Sequence, residues 1–80
     1  MSINLTLHFE DKKKRKIRTA DLYQTPTDVT YHILKQKDKL QAYTEWVKKE
    51  VGEDEGPHCK YVENLIKEYG DDYTPVWSLI

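Results

Sequence analysis

The chain has 80 residues, 38% apolar and 34% charged, and its 13 Lys and Arg nearly balance 14 Asp and Glu. That is enough for a single domain over 1–80 with one thin core and no second one. No apolar run reaches the length of a membrane-spanning helix, the first residues alternate rather than form a leader, and the lone Cys59 excludes an internal disulfide framework and fits a reducing, cytoplasmic setting.

Residues 2–9 alternate strictly. Ile3, Leu5, Leu7 and Phe9 fall on one side, and Asn4, Thr6 and His8 on the other. This is the pattern of a half-buried strand with one wet face. Glu10-Asp11 opens a polar turn, and Lys16 to Tyr23 reads as a second strand, with Ile17 and Thr19 on one face and Arg18, Ala20 and Leu22 on the other. The short connection favours an antiparallel hairpin. No Asn-Gly or Asp-Gly is present, so the turn is expected to exceed two residues.

Thr25-Pro26-Thr27-Asp28 reads as a helix start: Thr25 as cap, Pro26 at the first helical position, Asp28 reaching back three residues later. Val29, Ile33 and Leu34 form the apolar side of this helix, which is expected to end near Lys37. Asp38 and Gln41 repeat the capping logic. Leu40, Tyr43, Val47 and Val51 then make a helical stripe flanked by Trp46 and stopped by Gly52. After the acidic loop, Pro57 opens a third helix with Val62, Leu65, Ile66 and Tyr69 as its stripe and Gly70 at its end. Residues 73–80 are β-rich, and Pro75 assigns this strand to an edge or to a start after residue 75.

The expected fold class is therefore α+β: a small two-layer domain of order ββαααβ, its three-stranded antiparallel or mixed sheet carrying three helices on one face. The last strand should pair with the hairpin, or alternatively with another molecule.

Charge is split along the chain. Residues 1–40 hold nine cations against five acids, and residues 41–80 four cations against nine acids. The run Lys12-Lys13-Lys14-Arg15-Lys16, with Arg18 beyond it, sits at the expected hairpin tip and suits phosphate neutralisation on a nucleic acid. The near-neutral total weighs against a dedicated nucleic-acid binder. Glu53-Asp54-Glu55 and Asp71-Asp72 are the acidic counterparts; on a common face they would mimic a phosphate backbone.

Catalytic chemistry finds little footing. His58 and Cys59 are adjacent and point about 100° apart on a helix, His8 and His32 are remote in sequence, and no ligand spacing for zinc or calcium is present. Gly52, Gly56 and Gly70 punctuate helices rather than form a phosphate loop. No catalytic residue, metal or cofactor is assigned.

Six Tyr and two Trp are many for so thin a core. Tyr31 and Tyr61 fall off their stripes, and Trp46 flanks its own, so these three join the acidic residues as candidate protein-binding positions. The function expected is that of a non-enzymatic interaction module. It would be an inhibitor or adaptor of phage or bacterial type, occupying the surface of a protein partner or of a second copy. Nucleic-acid binding through the hairpin tip and a small ligand in a dimer-built pocket are the alternatives.

Overall fold

In the computed structural model, which describes residues 4–80, Leu5, Leu7 and Phe9 turn inward from β1 (Leu5–Glu10) while Thr6, His8 and Glu10 are only partly covered. β1 is the central strand. It pairs antiparallel with β2 (Lys16–Thr19) on one side and with β3 (Thr74–Leu79) on the other, giving the order β2-β1-β3. Centrality explains the alternation: both edges of β1 are hydrogen-bonded and one face is buried, so only the other face tolerates polar side chains.

The helical layer consists of α1 (Thr27–Leu34), α2 (Lys39–Trp46) and α3 (Gly56–Tyr69). The three-stranded antiparallel sheet and three helices form a small compact α+β domain in the expected order ββαααβ. The core joins Leu5, Leu7, Phe9 and Ala20 to Ile33, Tyr43, Val47, Cys59, Val62 and Leu65. No helix among the described residues is long and apolar enough to cross a membrane.

Several local expectations are corrected. β2 stops at Thr19, not Tyr23. The amide of Ala20 still donates to Leu7, but those of Asp21 and Tyr23 donate to the hydroxyls of Tyr61 and Tyr43, so tertiary partners replace the sheet ladder. Thr25 does not cap α1. Its buried hydroxyl pairs with that of Thr30, which also donates to the carbonyl of Pro26 at 3.0 Å. Asp28 stays in the first turn without a capping bond. α1 ends at Leu34, three residues before Lys37. Asp38, by contrast, caps α2 as expected, its Oδ1 accepting from the amide of Gln41 at 3.0 Å.

Val51 is exposed rather than part of the α2 stripe. From Val47 to Val51 the chain widens into a π-turn, closed by the Gly52 amide donating to Val47 at 3.0 Å. Wider winding rotates a residue four positions on out of the apolar stripe.

Pro75 lies within β3, which is an edge strand. Asn4 and Ile80 exchange both backbone hydrogen bonds at 3.0 Å. The alternation of an antiparallel ladder then makes Thr74, Val76 and Ser78 bond to β1 and turns the backbone groups of Pro75, Trp77 and Leu79 outward. The missing N–H of Pro75 therefore costs the sheet nothing.

Candidate functional site

The basic run forms the hairpin tip, and an aspartate organises it. Asp11 Oδ1 accepts from the amides of Lys13 and Arg15, both at 2.9 Å, and Oδ2 pairs with Arg15 Nε at 2.7 Å. These bonds to Arg15 and Lys13 hold the Asp11 carboxyl below the usual aspartate range. The turn spans residues 12–14: Lys14 donates to the Asp11 carbonyl at 2.9 Å and adopts φ 61°. Pairing shifts between Phe9 and Glu10, so Ile17 is the extra residue of a bulge. Lys12, Lys13, Lys14 and Lys16 project into solvent. Arg15 is tied to Asp11, and Arg18 lies exposed near the hydroxyls of Tyr69 and Tyr61, which raise its pKa.

A lysine at φ 61° bears a steric cost that glycine avoids. Lys14→Gly should therefore stabilise the fold by about 1 kcal/mol, offset in part by the freer unfolded chain. Urea denaturation would show this as a raised midpoint with an unchanged slope.

The acidic residues do not form one patch. Glu53–Glu55 make a short 3₁₀ turn before α3, and Asp71 and Asp72 follow its far end. Fourteen helical residues separate them, a span of about 21 Å at the α-helical rise. Glu55 is also turned inward: its Oε2 accepts from the Tyr23 hydroxyl at 2.7 Å, and this bond to Glu55 raises the Tyr23 pKa. Glu53, Asp54, Asp71 and Asp72 are exposed.

Tyr61 is not free either. It packs against the core and accepts the Asp21 amide at 3.3 Å. Tyr31 is 44% exposed on α1. Tyr43 is the hub of an interior network: its hydroxyl accepts from the Tyr23 amide at 2.9 Å and lies 2.8 Å from His58 Nε2. His58 is thereby engaged by Tyr43 and sits 4.6 Å, centroid to centroid, from the Tyr23 ring.

Cys59 is buried, its Sγ 4.0 Å from the Thr44 carbonyl, and desolvation pushes its thiol pKa up. A buried thiol with little thiolate reacts slowly. A disulfide reagent should label Cys59 at the rate of global or local opening and only become fast once the chain is unfolded in urea. No group of three or more His, Cys, Asp and Glu that could hold a metal ion occurs among the described residues.

A concavity lies between α1 and α2, a groove of about 940 Å³. Val29, Ala42 and Trp46 supply its apolar surface, above the fully buried Ile33. Trp46 is half-buried, its ring stacked 6.5 Å from that of Tyr43, so the core fixes it from behind. Along the rim stand four carboxylates, Asp28, Asp38, Glu45 and Glu50, against two lysines, Lys37 and Lys49. α1 and α2 are short and joined by only four residues, and the groove lies along the seam between them. The stripe places Val29 in the core, yet it is only half-buried and faces the groove. Of the aromatic candidates, Trp46 alone lines it. Periodicity points to a core position for Val29, and Ala42 falls outside the Leu40, Tyr43, Val47 stripe, so no signal in the sequence marks the groove itself.

Comparison of the chain with protein-family models, with curated proteins and with solved structures finds no match in any of the three.

Proposed function

We propose that this protein is a non-enzymatic, cytoplasmic interaction module, an inhibitor or adaptor whose α1–α2 groove receives an amphipathic helical segment of a partner protein. The observation that carries this reading is the groove's composition. An apolar floor anchored by Trp46 is bordered by an excess of carboxylates. An apolar floor between two helices suits side chains spaced one helical turn apart, and an acidic rim favours a segment with flanking Lys or Arg. Trp is the side chain most enriched among residues that dominate binding energy.

The test is titration of the protein with a basic amphipathic helical peptide and, for comparison, an acidic one of the same apolar pattern, read by Trp46 fluorescence and calorimetry. The basic peptide should bind, and Trp46→Ala should weaken binding about 30-fold, the effect of losing about 2 kcal/mol at a hot spot. Substitutions Glu45→Lys and Glu50→Lys should weaken it further and flatten its salt dependence. Equal binding of both peptides, or wild-type affinity in Trp46→Ala, would reject the groove.

The hairpin tip supports a second reading, since Asp11 presents Lys12, Lys13 and Lys14 on a preorganised turn. Binding of duplex DNA or RNA that disappears in a Lys12, Lys13 and Lys14 triple alanine variant, with Trp46→Ala unaffected, would favour it over the groove.

A further inference from the structure

The two edges of the sheet are unlike. β2 is four residues long, bulged at Ile17 and charged at Lys16 and Arg18. Short, charged and bulged edges resist pairing with other strands. β3 has six residues and no charged side chain from Tyr73 to Ile80. Its outward groups are the N–H and C=O of Trp77 and Leu79 and the C=O of Pro75, and none of them has a backbone hydrogen-bond partner among the described residues. Leu79 is 38% and Ile80 74% exposed.

We propose that β3 pairs antiparallel with β3 of a second copy, about a two-fold axis through Ser78, joining two three-stranded sheets into one of six strands. This proposal does not rest on the groove. In that register Trp77 stands opposite the partner's Leu79, and Leu79 opposite the partner's Trp77. Each pair exchanges two N–H···O bonds, so all the outward donors and acceptors of Trp77 and Leu79 are satisfied. Centring the axis on Trp77 instead would set each Leu79 carbonyl against Pro75, which has no N–H to give.

The side chains agree with the same register. On the helix-bearing face Trp77 meets the partner's Leu79. On the other face Val76 meets the partner's Ile80, covering the most exposed apolar group of this segment. Directly opposite residues in such a pair interact most strongly. Ser78 meets its own copy at the axis. Its hydroxyl already pairs with Thr6 at 2.8 Å, so the centre of the interface is small and neutral. The contact uses the same surface on both copies and closes on itself. The guarded β2 edges leave no second strand to extend it, so the product is a dimer rather than a fibre.

The experiment is sedimentation equilibrium and light scattering on the full chain, up to about 1 mM because one strand pair is a small interface. Wild type should move from 9.5 kDa towards twice that mass with concentration. Leu79→Pro removes a single outward N–H and none used by β1, just as the native Pro75 does, and should stay monomeric with an unchanged circular dichroism spectrum. Ser78→Lys sets two lysines opposite each other at the axis and should also stay monomeric, which keeps the test decisive if the proline variant folds poorly. A wild-type mass of 9.5 kDa at every concentration, or dimers persisting in Ser78→Lys, would overturn the proposal. Dimers lost in Trp46→Ala but kept in Ser78→Lys would move the contact to the groove and overturn it as well.

Discussion

Phe9→Ala should cost about 3–5 kcal/mol and leave much of the chain unfolded at room temperature. Phe9 is fully buried at the centre of the inner sheet face, between Arg18 on β2 and Pro75 on β3, and its ring stacks 4.9 Å from that of Tyr69. Alanine removes the ring and leaves a cavity that β1 cannot collapse into, because both of its edges are paired. A domain of this size has only about 4–12 kcal/mol of total stability, so the loss takes a large share. Chemical denaturation with circular dichroism as the readout measures it; a loss below about 1 kcal/mol would mean the cavity is refilled. Phe9→Leu, which retains most of the apolar volume, should recover the greater part.

Tyr43→Phe should destabilise the fold by about 1–3 kcal/mol although it removes a single oxygen. That oxygen terminates the Tyr23 amide and contacts His58 Nε2, and no sheet partner stands ready to replace it. An interior donor left without an acceptor bears its whole desolvation penalty. The same residue sets a signature at alkaline pH. Burial pushes the Tyr43 hydroxyl from an ordinary 10.0 up to about 12. An unfolded chain therefore releases this proton earlier than the folded one. The contribution is complete below pH 10 and disappears as pH rises through about 12. Cys59 and Tyr23, whose values are also raised, act in the same direction. Denaturation midpoints should fall above about pH 9 in wild type, first through Cys59 and above about pH 10 through the tyrosines, and Tyr43→Phe should lose part of the steeper slope while keeping the part due to Cys59 and Tyr23.

Arg18 shows how far local patterning reaches. Its strand face is legible from alternation: it shares the inner side with Ala20 and lies opposite Phe9. That two tyrosine hydroxyls from α3 come close enough to raise its pKa is not, since Tyr61 and Tyr69 come near only once α3 has crossed the sheet. The same limit applies to Tyr61, whose position off the apolar stripe suggests a free ring and whose hydroxyl instead receives the Asp21 amide. Residues 20–23 read as more strand because their alternation continues that of Lys16 to Thr19. Long-range hydrogen bonds to Tyr61 and Tyr43 decide otherwise.

Features that depend on neighbours within a turn or a pleat were legible in the order of residues. The strand of Leu5, Leu7 and Phe9, the cap at Asp38, the stops at Gly52 and Gly70, the edge position implied by Pro75 and the succession ββαααβ are of this kind, because periodicity and capping act over a handful of residues. Other features arose only on packing: the groove between α1 and α2, the interior role of Tyr43, the separation of the two acidic clusters by the length of α3, and the choice of which sheet edge stays open. Each depends on where whole elements come to rest against one another, and that is set by competition for a small shared core rather than by any local run of residues.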